Sequence, residues 1–244
     1  MNILCIGNSF SQDSTRYLHR IARADAVSVD VCNLYVPGCT LAQHYGFMLS
    51  EENAYELEYN GELTKFKVSL KQALTNRQWD YISFQQASHK CTDYDSYMPY
   101  LSELCEYVKK CCPKAKIIIH QTWAYEEGSN KLCDLLGYNL QKDMYTDLEK
   151  AYSKAAADIS ANLVVPSGMV MQKLIERGVS DIHRDTYHLS YGTGRYASAL
   201  MWYKMLTGNC VHSNNFNDFD EEISESKIEI IKACVEDVFN QVCR

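Results

Sequence analysis

Residues 3–11 read Ile-Leu-Cys-Ile-Gly-Asn-Ser-Phe-Ser. The run from Ile3 to Ile6 has the length and β-branched content of a strand buried on both faces of a parallel sheet. It stops at Gly7-Asn8-Ser9, and a helical pattern sets in around Ser14. In open α/β folds the turn from strand to helix lies at the carboxyl edge of the sheet, where ligands bind. Ser9 is then either a nucleophile presented on a tight turn or a residue that caps the helix. This segment alone favours the cap, and the far end of the chain shifts the balance.

Working outward, short apolar runs alternate with helical periodicity. Strands are expected over residues 2–6, 27–36, 81–84, 116–120 and 163–165. Helices are expected over about 14–26, 41–50, 69–76, 97–112 and 141–160, from 166 to about 176, and over 191–206. The last helix is amphipathic, with Ile228, Ile231, Val235, Val238 and Val242 in phase. Strands separated by helices imply a parallel sheet covered on both faces. The expected fold is therefore α/β: a three-layer α/β/α sandwich with a flavodoxin-like, five-stranded parallel sheet. With no repeat and no linker, residues 1–244 read as a single domain.

One segment departs from this pattern. Residues 55–59, Asn60-Gly61 and residues 62–68 read as a two-residue β-hairpin. A regular register sets Tyr55 opposite Phe66 and Glu56 opposite Lys65. The hairpin is expected to protrude from the parallel sheet as an insertion.

Composition narrows the function. A 46% hydrophobic, 23% charged chain of 244 residues can bury a large core. The net charge of −7 and the lack of a basic run argue against a nucleic-acid groove. No apolar stretch approaches the ~20 residues that span a bilayer, so no membrane partner is expected. The 11 cysteines are odd in number and scattered without C-x-x-C spacing, which favours free thiols over a disulfide scaffold. With a first strand that starts at residue 2 and leaves no leader visible, the expected location is cytoplasmic.

Near the other end stands Asp185-Thr-Tyr-His188, followed by Leu189-Ser190. An aspartate three residues before a histidine can accept one ring N–H and free the other nitrogen as a base. With Ser9 this supplies nucleophile, orienter and base in the chain order Ser, Asp, His. Alone, such a pair is a weak signal. Joined to a Gly-x-Ser turn after the first strand it is much stronger.

These segments resemble the SGNH/GDSL hydrolases, serine esterases and deacylases on a flavodoxin-like sandwich. Gly7-Asn8-Ser9-Phe10-Ser11 matches the first block of that family, with Asn8 where the common form has Asp. Gly38, after the second strand, matches the glycine whose N–H serves the oxyanion hole. Asp185-x-x-His188-Leu189-Ser190 and Gly194-Arg195-Tyr196-Ala197 match the last block, and Pro166-Ser167-Gly168 also sits as in these enzymes. The resemblance is tightest to an uncharacterised subgroup with G-N-S-F at the nucleophile and a glutamine pair after the third parallel strand. The third block departs from the family. Where a Gly-x-Asn-Asp usually stands, this chain has Phe84-Gln85-Gln86-Ala87-Ser88-His89. A glutamine amide offers the same donor as asparagine, so the resemblance implies Gln86, or else Gln85, as the third oxyanion donor. His89 is a third candidate by simple counting.

Further candidates stand at or near the same sheet edge. Asn8, His120 and Trp123 are candidate substrate contacts, with packing on the next loop about as good a reading of Trp123. Tyr125 shares that ambiguity. Arg184 reads as an anchor of its loop more readily than as a binder of an acidic group. Asp181, His183, Asp185 and His188 resemble a metal cluster, but four ligands in so short a loop are strained, and no metal or other cofactor is expected. Gly192 and Gly194 read as sites of close packing. The resemblance implies a serine esterase or deacylase that cleaves a small ester such as an O-acylated (O-acetyl) carbohydrate or a similar molecule. The alternatives are a non-catalytic binding protein on the same fold and an acyltransferase using the same triad.

Overall fold

The computed structural model describes residues 1–243. Its sheet has seven strands: β1 (Asn2–Gly7), β2 (Asp30–Tyr35), β3 (Tyr55–Tyr59), β4 (Glu62–Val68), β5 (Tyr81–Phe84), β6 (Lys116–Gln121) and β7 (Leu163–Pro166). The order is β4-β3-β2-β1-β5-β6-β7. The run from β2 to β7 is parallel throughout. Its order reverses between β1 and β5, the point at which such sheets open a crevice beyond their carboxyl ends.

Five strands of the sheet are parallel, and the hairpin raises the total to seven by adding two antiparallel strands at the edge. Strand β3 pairs antiparallel with β2, so the 55–68 segment extends the sheet edge instead of protruding. The register also differs from the regular one. Asn60 and Gly61 both have positive φ, as a two-residue loop of the I′ kind requires, and Tyr59 faces Glu62. A shift between Glu56 and Glu58 then places Glu56 against Lys67 and Tyr55 against Val68. Lys65, with φ of +65°, lies in the shifted stretch. Phe66 is left 70% exposed instead of packing on Tyr55, which is buried.

Two groups of helices pack around this sheet. One holds α1 (Ser9–Thr15), α2 (Leu18–Ala24), α7 (Ser167–Glu176), α8 (Thr193–Thr207) and α9 (Glu225–Val242). The other holds α3 (Leu41–Ser50), α4 (Leu70–Thr75) and α5 (Tyr100–Cys111). Helix α6 (Gln141–Asp158) packs on β6. Helix α8 is buried on nearly every side, as an apolar helix touching α1, α2, α7 and α9 must be. Ile3, Leu4, Cys5 and Ile6 of β1 are fully buried at the centre. Full burial of each such aliphatic chain is worth about 1.5–3 kcal/mol.

Two boundaries differ from the sequence reading for visible reasons. Helix α1 begins at Ser9, not Ser14, because the Asn8 side chain accepts from Phe10 N–H and caps it at once. Strand β2 begins at Asp30, not Val27, because its neighbour β1 begins opposite at Asn2. All 11 cysteines are unpaired thiols, and among the described residues no helix is long and apolar enough to cross a membrane.

Charged side chains tie the outer loops to α1. Arg16 pairs with Asp220 at 2.7 Å and with Glu62 at 2.7 Å, and it donates to Gly61 O of the hairpin. The Arg16 hydrogen bond lowers the Asp220 carboxyl from the ordinary 3.8 to about 2, against the opposing effect of burial. A folded value below the unfolded one means that this pairing stabilises the fold above about pH 4. The contribution is lost as the pH falls through about 2. Urea unfolding at pH 6 and at pH 2.5 is expected to show a smaller acid loss for Asp220→Asn than for the parent. Equal losses would contradict the pairing.

Candidate active site

The site is assembled from three turns at the carboxyl edge and one distant loop. Gly7-Asn8-Ser9 leaves β1 and puts Ser9 in the first turn of α1. The Ser9 hydroxyl meets His188 Nε2 at 2.8 Å, and His188 Nδ1 meets Asp185 Oδ2 at 2.8 Å. The other Asp185 oxygen, Oδ1, accepts from His188 N–H at 2.9 Å. Partial burial raises the Asp185 carboxyl, but its bonds from His188 outweigh that and hold it below the ordinary aspartate range. An ionised Asp185 accepting at Nδ1 fixes the tautomer in which Nε2 can take the Ser9 proton.

Pro37-Gly38 closes a turn after β2, with Cys39 N–H donating to Val36 O. Gly38 has φ of +61°, the geometry of a type II turn that favours glycine. Nothing lies where its side chain would be, so the turn is open to the cavity that it helps line. Among the described residues neither Ser9 N–H nor Gly38 N–H has an acceptor. The cavity, about 330 Å³, is also lined by Ser88, His89, Tyr125 and Lys131. Larger depressions lie elsewhere: one of about 590 Å³ runs past Trp79 and Lys114, away from any nucleophile–base pair.

The sequence-expected glutamines do not line this cavity. Gln86 Oε1 accepts from Leu41 N–H and Ala87 N–H, and its amide donates to Ser96 O and Oγ. It locks the 87–96 loop and turns away from Ser9. Gln85 is buried beside the site, donating to Asn8 Oδ1 at 2.8 Å and facing His120 Nδ1 through Oε1 at 2.8 Å. Of the block 84–89, only Ser88 and His89 reach the cavity wall. Ser88 and Tyr125 share a hydroxyl hydrogen bond of 2.9 Å.

Two expected substrate contacts are corrected as well. Trp123 is fully buried, stacked on Phe10 at 4.3 Å, with its indole N–H donating to Tyr187 O. His120 is buried, and burial pushes its pKa down to about 3, so it is neutral. Its Nε2 faces Ser14 and Ser167 hydroxyls at 3.0 and 3.1 Å. Asn8 lines the cavity but is 1% exposed and acts as a tie: its amide donates to Cys39 O, next to Gly38. An aspartate there would have no hydrogen to give, which accounts for Asn in this chain.

Gln85 therefore joins the Ser9 turn to β6. In Gln85→Leu, Asn8 Oδ1 loses one donor and His120 Nδ1 is left buried without a partner. A loss of about 1–3 kcal/mol is expected, measurable as a lowered urea midpoint. An unchanged midpoint would count against the tie.

Sequence reading missed Asp13, which holds the distant loop. This carboxylate, on α1, is fully buried. It pairs with Arg184 at 2.9 Å and Arg195 at 2.8 Å, and it accepts from Leu189 N–H. Arg184 is thus the loop anchor that the sequence favoured. Gly194 lets α8 approach the same loop: a Cβ there would come within 2.5 Å of Ile182 O. Thr186, between Asp185 and Tyr187, sits at φ of +75°, a strained conformation for a β-branched residue. Its carbonyl accepts from Glu126 N–H at 2.8 Å. The four residues resembling a metal cluster go separate ways: Asp181 to Lys227, His183 to Ala124 O, and Asp185 to His188. Among the described residues no group of three potential ligands is placed to hold a metal.

The parallel sheet, its switch point and this cluster define an α/β/α fold of the SGNH/GDSL hydrolase kind. Solved structures agree. A protein from Slackia heliotrinireducens described as an SGNH hydrolase is 27% identical, with 84% of this chain and 98% of that one covered and a TM-score of 0.60. The acetylxylan esterase Axe2 from Geobacillus stearothermophilus is 13% identical over 88% of this chain and 94% of its own, with a TM-score of 0.54, a likeness of fold. A DUF4886 family protein from Bacteroides uniformis is 31% identical, covering 98% and 95%, with a TM-score of 0.90. The family model described as "Domain of unknown function (DUF4886)" matches residues 2–237, and the chain belongs to that family. No curated protein matches it.

Proposed function

We propose that this protein is a serine esterase that cleaves a small O-acyl ester, an O-acetylated carbohydrate being the favoured class, through an acyl-enzyme on Ser9. The carrying observation is the continuous relay Ser9 Oγ, His188, Asp185 at 2.8 Å per step, opening on a cavity with two free backbone donors. Ser9 Oγ attacks the ester carbonyl while His188 Nε2 takes its proton. Asp185 stabilises the imidazolium and keeps it aimed. The Ser9 and Gly38 N–H groups receive the developing oxyanion, with the third donor drawn from the Ser88-His89 segment. His188 then protonates the departing alcohol, and water releases the acyl group by the same steps in reverse. One oxyanion donor is typically worth about 3 kcal/mol of transition-state stabilisation.

The substrate class rests on the cavity. It is small, and Tyr35, Tyr125 and Tyr187 line it, a wall suited to a sugar ring. Hydrolysis of p-nitrophenyl acetate, butyrate and octanoate tests the reading. The expected result is turnover with kcat/KM falling from acetate to octanoate. A rise with chain length would overturn the short-acyl assignment, and no turnover of any ester, with no labelling by a fluorophosphonate, would overturn the esterase.

A further inference from the structure

We infer that Lys131 sets substrate specificity at this site by binding a carboxylate on the alcohol side of the ester, so that the substrate is an O-acylated acidic sugar. The inference rests on the esterase reading and deepens it. Lys131 opens a single π-helical turn, Lys131–Leu135, and both end residues line the cavity. Such turns are frequent at functional positions. The Lys131 ammonium stands 3.3 Å from the centre of the Tyr187 ring, and that ring lies 4.0 Å from the His188 ring. A fixed positive charge is therefore held one aromatic ring away from the base.

No carboxylate among the described residues pairs with this ammonium, although the chain as a whole carries a net charge of −7. The cavity lining contains no Asp or Glu at all. Its histidine His89 is pushed below the ordinary histidine value by burial and by Lys90, so it adds no charge near neutrality. Asp185 stands behind His188 and is taken up by it. Lys131 is thus the charged side chain of the wall, and an aromatic face holds it without neutralising it. Leu135, 64% exposed, stands one π-turn away and offers an apolar rim. An apolar ring face bearing one carboxylate matches this pair. A single ammonium balances the single charge of a carboxylate.

Two substrates that differ only in the charge test this: an O-acetylated methyl glucuronoside with a free carboxylate, and the same compound as its neutral glucuronamide. Acetate release is measured for the parent, Lys131→Met and Lys131→Arg. The parent is expected to favour the acid by about tenfold or more in kcat/KM, carried mainly in KM. Lys131→Met, which keeps the apolar stem, should bring the ratio near one, and Lys131→Arg should restore most of it. The preference of the parent should shrink in 1 M salt. A parent ratio near one, or a ratio that survives in Lys131→Met, overturns the role of Lys131 while leaving the esterase standing. Failure to hydrolyse any ester, p-nitrophenyl acetate included, overturns both.

Discussion

Ser9→Ala protein is expected to fold like the parent and to lose at least about 10⁴-fold in p-nitrophenyl acetate turnover. The substitution removes one oxygen, whose hydrogen-bond partner His188 remains held by Asp185. The Asn8 cap of α1 does not involve the Ser9 side chain, so the turn survives. What disappears is the atom on which the proposed acyl-enzyme would form. In triad enzymes, loss of the nucleophile alone removes nearly all the rate that the triad supplies. Matching unfolding curves with turnover lost is the expected pair of results. Retained turnover in this variant would end the assignment.

The second large effect is expected at Asp13, which touches no substrate. Asp13→Ala leaves the Arg184 and Arg195 guanidinium groups, only 22% and 12% exposed, without their shared carboxylate. Removing one partner of a buried ion pair typically costs about 3–5 kcal/mol. For a domain of this size that is a fall in Tm of roughly 6–20 °C. Turnover should fall as well, because Asp13 holds Leu189 N–H and Arg184, the residues that flank Asp185 and His188. Asp13→Asn keeps the shape and loses the charge, and it should fall between the parent and Asp13→Ala in Tm. A parent-like Tm for both variants would show that the loop is anchored by other contacts.

The contrast between Ser9 and Asp13 shows what the sequence makes legible. The strands β1, β5 and β6 announce themselves because a strand inside a parallel sheet covered on both faces reads as a short, mostly apolar run. Ser9, Asp185 and His188 are legible because each lies in a short motif whose chemistry requires that spacing. Asp13 carries no such local mark: its partners lie 171 and 182 residues away, and only the packed loop brings them together. His120 and Trp123 qualify as candidate substrate contacts because they follow a strand at the right edge, with packing as good a reading of Trp123. Phe10 and Ser14 of α1 cover them, contacts that are again far away in sequence.

The glutamine pair failed for a different reason. Alternation along a strand decides which of two neighbours faces a site, but β5 ends at Phe84, so Gln85 and Gln86 lie past the end of the rule. Both amides are consumed within the protein, Gln85 by Asn8, far away in the sequence, and Gln86 by Ser96. The hairpin register failed because the positive φ of Lys65 and the shift beside it carry no residue signature such as glycine.

The most direct test of an activated Ser9 needs no knowledge of the substrate. The parent protein is incubated with a fluorophosphonate, its intact mass is measured, and the modified peptide is sequenced. One adduct per chain is expected, located on Ser9 and absent from His188→Ala. No adduct, or one on a serine other than Ser9, would contradict it.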